Sequence, residues 1–272
     1  PTELEFVASG PLTPGAQEVL TIPGGTGGLV STRGRHLAAN DTVSFTVAPG
    51  STLRLQQLLA ELGYLPLTFT PTTQPTSPTA QADVQAGAFS WRWAAPGALT
   101  SLWSLGADNL ITRGAVMTFQ DQHGLGTDGT AGPQVWAQLL QAAAGGLSDP
   151  KPYAYVMVSE ALPQTVTVYQ NGATAYSTPA NTGVEAAPTA LGTYPVFERF
   201  TSTTMSGTNP DGSHYSDPGV PWVSYFNGGD ALHGFIRPGY GYPQSDGCVE
   251  MPVDNASVVY PMTPIGTLVS VL

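Results

Sequence analysis

The chain has 272 residues, 41% of them hydrophobic and only 10% charged, against roughly 25% charged in ordinary soluble domains. Eight Lys and Arg against nineteen Asp and Glu give a net charge of −11, and Lys151 is the sole lysine. No basic patch is available to neutralise a phosphate backbone or anionic lipid, which disfavours nucleic-acid and membrane-surface partners. No run approaches the ~18 consecutive apolar residues that span a bilayer.

Glycine (32) and proline (25) together exceed a fifth of the chain, a balance that favours turns and short strands over long helices. The expected class is mainly β. No charged segment followed by an apolar one opens the chain. A start at Pro1 suggests a trimmed or mature fragment, and any signal peptide or anchor would lie upstream.

Residues 1–50 alternate in short patches, Glu18-Val19-Leu20-Thr21-Ile22 and Thr42-Val43-Ser44-Phe45-Thr46-Val47, around Gly24-Gly25-Thr26-Gly27-Gly28. They form a small β segment with no identifiable chemistry. Residues 51–147 carry the helical content. Ser51 caps a helix through Leu53, Leu55, Leu58, Leu59 and Leu62 that Gly63 stops. Residues 66–81, rich in Thr and Pro, break regular structure. A second helix fits 112–123, with Val116, Phe119 and Gln120 on one face. A third starts at Pro133, a favourable first helical residue, and buries Val135, Trp136, Leu139 and Leu140. A glycine-governed loop, 124–132, joins the two.

Gly145, Gly146, Asp149 and Pro150 mark a boundary, and from Tyr153 onward the chain turns to strands. Tyr155-Val156-Met157-Val158-Ser159 is a short apolar strand. Gln164-Thr165-Val166-Thr167-Val168-Tyr169 alternates in period two, and Asn171-Gly172 is a strong hairpin turn. Further strands are expected at 192–200, 222–226, 231–235 and 266–271. Many strands with few helices indicate a sandwich or a partly closed barrel.

The only cysteine, Cys248, stands in Ser245-Asp246-Gly247-Cys248-Val249-Glu250-Met251, downstream of His233-Gly234. A lone thiol forms no internal disulfide, so it is either small buried filler or a reactive group. The setting favours reactivity. A cysteine nucleophile needs a base, a group that orients the base, and donors aimed at the developing oxyanion. His233 supplies an imidazole, the Gly234 carbonyl can fix its tautomer, and the amides of Gly247 and Cys248 are natural oxyanion donors. Ser245, Asp246, Trp222, Tyr225, Tyr240 and Tyr242 are candidate cleft residues. Arg237 either meets a substrate carboxylate through both arms of its fork or balances nearby acids. His214 and Asp217 match no metal-ligand spacing, and no metal is expected.

Two resemblances sharpen these expectations. The run Leu55-Gln56-Gln57-Leu58-Leu59-Ala60-Glu61-Leu62-Gly63-Tyr64 is followed by Ile111 to Gln120, His123-Gly124-Leu125 and Asp128 to Trp136. Together they resemble the peptidoglycan-binding module that accompanies many bacterial wall enzymes, with a long insertion between its first two helices. Downstream, His-Gly, a variable loop and Ser-X-Gly-Cys-Val-X-Met resemble the signature of the L,D-transpeptidases. Val156-Met157-Val158, Pro188 to Val196 and Trp222 to Phe226 agree in order. The implied layout is a β segment at 1–50, a binding-like helical module at 51–147 and an L,D-transpeptidase domain at 148–272.

That resemblance implies a mechanism without metal or organic cofactor. Cys248 attacks the third-residue carbonyl of a peptidoglycan stem tetrapeptide, His233 takes the thiol proton, D-alanine leaves, and the amine of an acceptor stem resolves the thioester. It also implies an extracytoplasmic, wall-associated site of action and acylation by carbapenems. Two positions depart from the pattern: Asp246 stands where the family commonly has His, and Glu250 where it often has Arg or Asn. A carboxylate beside a thiol disfavours the thiolate. The alternatives are a wall-binding scaffold with a weakened site, and a carboxypeptidase-type hydrolase in which water replaces the amine.

Overall fold

The structure, a computed structural model, describes residues 5–73 and 78–272. At the N-terminal end, β1 (Gln17–Ile22) and β2 (Asp41–Thr46) pair antiparallel from Gln17 opposite Thr46 to Ile22 opposite Asp41. This is the β segment expected from the alternating patches, and most of its side chains remain exposed.

Three helices organise the next part. In α1 (Thr52–Glu61), the Ser51 hydroxyl accepts the Arg54 N–H at 3.5 Å, while Leu55, Leu58 and Leu59 are buried. The helix ends before Gly63, in the left-handed region at φ +85°, as a glycine stop does. β3 (Leu67–Pro71) and β4 (Gly87–Trp91) then pair antiparallel, Leu67 opposite Trp91. This corrects the expectation that 66–81 lacks regular structure; residues 74–77 of that stretch lie outside the described residues. Leu67 and Phe69 point into the core while Thr68 and Thr70 stay exposed. That period-two alternation outweighs the flanking prolines.

After the short α2 (Gly97–Thr100), α3 (Leu110–Gln122) begins two residues before the expected start. The Asn109 side chain accepts the Thr112 N–H at 2.9 Å and caps it. α4 (Pro133–Ala144) has Pro133 in its first turn and buries Val135, Trp136, Leu139 and Leu140, as its spacing predicts. Gln56 ties the bundle together. Its Nε2 donates to Ser104 O, Ala107 O and Thr112 Oγ1, and its Oε1 accepts from Gly106 N at 2.7 Å. A fully buried amide satisfied at both ends fixes one loop geometry.

The C-terminal part is two facing sheets. The first, in spatial order β7-β6-β5-β13-β8, contains β5 (Ala154–Ser159), β6 (Thr165–Gln170), β7 (Ala173–Pro179), β8 (Gly192–Pro195) and β13 (Leu268–Val271). The second, in order β12-β11-β10-β9, contains β9 (Glu198–Thr208), β10 (His214–Asn227), β11 (Asp230–Gly234) and β12 (Val249–Met251). α5 (Val253–Val259) follows β12 directly. Val156, Val158, Val166, Val168, Val269 and Val271 of the first sheet meet Phe226, Leu232, Val249 and Met251 of the second in one core. The mainly β class holds, as an open sandwich and not a closed barrel.

The strand expected over 192–200 is two strands, β8 and β9, that belong to different sheets. The break falls at Val196, which is fully buried between the sheets, with Pro195 before it. The expected 222–226 strand is the end of the longer β10, whose register slips between Asp217 and Val220. β9 and β10 therefore build a long hairpin.

Candidate active site

Alternation along β11 and β12 decides which side chains face solvent. The two strands run parallel, with Leu232 opposite Val249 and His233 opposite Glu250. Leu232, Val249 and Met251 enter the core between the sheets. Period two therefore places His233, Cys248 and Glu250 on the other face. All three line one cleft of about 360 Å³, with Met205, Asn209, Tyr215 and Asp217 from the β9–β10 hairpin and Phe235, Arg237, Gln244, Ser245 and Asp246 from the β11–β12 connection.

Of the residues singled out in the sequence, the cleft thus gathers Cys248, His233, Ser245, Asp246, Arg237 and Asp217. Trp222 and Tyr225 do not line it. The Trp222 ring packs on Tyr260 at 5.6 Å, and the Tyr225 ring lies between Phe197 and Phe200, each at 6.3 Å. Tyr240 stiffens the connection: its hydroxyl donates to Phe235 O and accepts from Arg237 N. His214 bonds Thr208 Oγ1 at 3.2 Å, a cross-strand contact within the hairpin.

The turn that presents Cys248 is short and closed. Ser245 Oγ donates to Cys248 O, which makes this buried hydroxyl a brace for the backbone. Gly247 has φ +111°, and a Cβ there would lie 2.6 Å from Asp230 Oδ1. Only glycine takes this corner without strain.

Asn181, a residue sequence reasoning missed, anchors the connection from below. Fully buried, it donates to Gly239 O (3.0 Å) and Gln244 Oε1 (2.8 Å), and its Oδ1 accepts from Gly241 N (2.9 Å) and Tyr242 N (3.3 Å). No spacing marks such a residue, because all four partners are about 60 positions away. Met205, Asn209 and Tyr215 of the hairpin were missed for a related reason: their strands were expected to be shorter, and Asp217 was weighed only as a metal ligand.

His233 is buried, and its Nδ1 lies 3.1 Å from Gly234 O. A protonated Nδ1 donating to that carbonyl leaves Nε2 as the acceptor. Burial pulls the imidazole below its ordinary range, against the raising effect of that bond and of Glu250. Cys248 is half-buried. Burial pushes its thiol up to about 12; the Ala231 N–H opposes this, while Asp230, Glu250 and Asp246 add to it. The Sγ–H donates to Gly229 O at 3.5 Å. No hydrogen bond joins Cys248 to His233 among the described residues.

The two acidic departures have different environments. Glu250 is buried and takes both arms of the Arg237 fork, each at 2.7 Å. Arg237 also lies over the Phe235 ring at 4.7 Å. Its fork balances an acid of the site. Asp246 is exposed at the cleft mouth, where solvent screens its charge.

A half-buried thiol and a buried imidazole line one cleft, the two side-chain types that acyl transfer through a cysteine requires. Residues 153–271 match the family model of the L,D-transpeptidase catalytic domain, and residues 106–139 that of a peptidoglycan binding domain. The chain therefore carries an L,D-transpeptidase catalytic domain behind a peptidoglycan-binding module. No curated protein matches it.

Among solved structures, the catalytic domain of the E. faecium L,D-transpeptidase is 26% identical over 46% of this chain and 100% of that one, with a TM-score of 0.41. An L,D-transpeptidase from Mycobacterium smegmatis is 22% identical over 44% and 59%, with a TM-score of 0.40. L,D-transpeptidase 3 from Mycobacterium tuberculosis is 22% identical over 44% and 61%, also at 0.40. The match spans less than two thirds of either mycobacterial chain.

Proposed function

We propose that this protein is a cysteine-dependent L,D-transpeptidase that cross-links peptidoglycan stem peptides. The observation that carries this reading is the cleft shared by His233 and Cys248, within residues matched to that catalytic domain. His233 Nε2 takes the thiol proton, and the sulfur attacks the carbonyl carbon at the third residue of a donor tetrapeptide. The C–N bond to the terminal D-alanine breaks, and the proton passes from the imidazole to the leaving amine. The amine of an acceptor stem then attacks the thioester, giving up a proton through His233 and restoring the thiol. The amides of Gly247 and Cys248 are the proposed donors to the tetrahedral oxyanion. The wall-binding module brings the enzyme to its polymeric substrate, outside the membrane.

Ser245 serves this site by holding the turn, and Asp246 borders the groove. Arg237 acts by neutralising Glu250, which among the described residues leaves the cleft lining without a free Lys or Arg for a substrate carboxylate.

One observation favours a second reading, a scaffold with a weakened site: the thiol bonds the Gly229 carbonyl and not His233, and burial pushes it up to about 12. The same experiment separates the two. Incubation with a carbapenem followed by peptide mass spectrometry is expected to give one adduct, on Cys248. Incubation with disaccharide-tetrapeptide is expected to give cross-linked dimers and free D-alanine, both lost in Cys248→Ala. Absence of any adduct supports the scaffold, and tripeptide without dimer supports hydrolysis.

A further inference from the structure

Residues 229–231, the end of the β10–β11 turn and the start of β11, lie beside the Cys248 corner. The Gly229 carbonyl takes the thiol proton's hydrogen bond, and the Ala231 N–H lowers the thiol against the effect of burial. Between them, the Asp230 carboxyl lies under Gly247, where a Cβ would come within 2.6 Å of Oδ1. Its other oxygen accepts from Ala190 N at 3.2 Å and from Asn227 Nδ2 at 3.3 Å. Two donors from two separate segments fix the carboxyl in place, so it stays packed under the Gly247 corner. The proposed reaction gives it no part.

We propose that Asp230 is a positioning residue that clamps the β10–β11 turn to the Gly247–Cys248 corner and holds the resting sulfur on the Gly229 carbonyl as a protonated thiol. The nucleophile then forms only as the proton leaves for His233 with a donor peptide in place. This rests on the role proposed above for Cys248. Chemically, the clamp protects an isolated, solvent-reachable thiol from alkylation and oxidation, both of which proceed through the thiolate.

Charge near the sulfur comes from every surrounding element. Glu250 on β12 is cancelled by Arg237, while Asp246 in the turn and Asp217 on β10 are screened at the mouth. Tyr215 and Tyr225 on β10 are neutral, their hydroxyls raised by burial and by the sulfur itself, and His233 on β11 is neutral through burial. Asp230 is the half-buried carboxyl fixed against the corner. Burial raises it above the usual carboxylate range, which leaves it ionised in the alkaline region where thiols titrate.

The test is the rate of Cys248 alkylation by iodoacetamide between pH 6 and 10, read by intact mass on the full chain. Asp230→Asn keeps the shape and an acceptor oxygen while removing the charge. It is expected to raise the rate about tenfold at a given pH, moving the profile down by about one pH unit. Asp230→Ser, which also leaves an acceptor near the Ala190 N–H, is expected to shift it in the same direction, so a misfolded Asn variant does not remove the test. Asp246→Asn is expected to give a smaller shift. Profiles for the Asn and Ser variants that superimpose on the parent, or run slower, overturn the proposal. Carbapenem acylation of the parent chain tests the Cys248 role separately, so the two failures are distinguishable.

Discussion

Burial moves the thiol and the imidazole proposed to react in opposite directions, and each shift fixes a pH limit. The thiol pushed up to about 12 stays protonated in the folded chain while an unfolded one ionises near 8.5. Its contribution to stability is full below that ordinary value and declines as pH rises toward the folded one. The His233 imidazole, pulled down, contributes fully above about 6.5 and loses that contribution as pH falls through its lowered folded value. Stability measured by urea denaturation is therefore expected to be flat between about pH 6.5 and 8.5. At pH 9.5 it should be lower by about 1 kcal/mol, a loss that Cys248→Ala reduces; an identical alkaline decline in that variant contradicts the assignment. The Arg237–Glu250 pair gives a second prediction. Arg237→Ala leaves a buried carboxylate without its partner and is expected to cost about 2–3 kcal/mol, somewhat less than for a fully buried pair, since Arg237 is partly exposed. Arg237→Lys is expected to recover part of this, because an ammonium matches one oxygen where the fork matches two. Equal urea midpoints for the three proteins speak against the pair.

Secondary elements place these groups, and the corner before β12 is the most sensitive of them. Gly247→Ala forces φ +111° on a residue with a Cβ and drives that Cβ against Asp230. Carbapenem acylation of Cys248 is expected to slow more than tenfold, while far-UV circular dichroism stays unchanged; an unaltered rate means the corner tolerates a shift. The corner was legible in the sequence because its chemistry is local: Gly247, Cys248 and the His233-Gly234 pair are recognisable from their neighbours alone. Helices were legible for the same reason. Ser51, Gly63 and Pro133 act within one turn, and the apolar spacing in α4 is unbroken. The rest of the site depends on distant partners. Asn181 bonds a connection some 60 residues further on, and Arg237 finds Glu250 only because β11 and β12 pair in parallel. The β9–β10 hairpin escaped because its alternation is shallow, with mostly exposed side chains over 198–208. The 66–81 stretch misled in the opposite sense, since its prolines flank a buried Leu-Thr-Phe alternation.

The helical module and the sandwich are not separate bodies on a tether; their cores interleave. Met117 of α3 belongs to the core between the sheets, while Tyr155 of β5 and Leu268 of β13 belong to the helical core. The seam closes at a glycine pair. A Cβ on Gly114 would lie 2.5 Å from Gly266 O, and one on Gly266 would lie 2.2 Å from Gly114 O. Thr118 Oγ1 sits 3.0 Å from Ile265 O across the same seam. Backbones this close admit no side chain, so Gly114→Val must open the seam, at a cost of about 1–3 kcal/mol for overpacking. The parent chain is expected to unfold calorimetrically in one cooperative transition and the variant in two, with the helical unit melting first. A fixed seam also holds the cleft at a constant bearing to the wall-binding module. In Gly114→Val, cross-linking of intact peptidoglycan sacculi is therefore expected to fall further than carbapenem acylation, which needs the cleft alone. Equal losses in both assays mean that the valine has damaged the cleft itself. Two transitions already present in the parent mean that the modules act independently and that the seam transmits nothing.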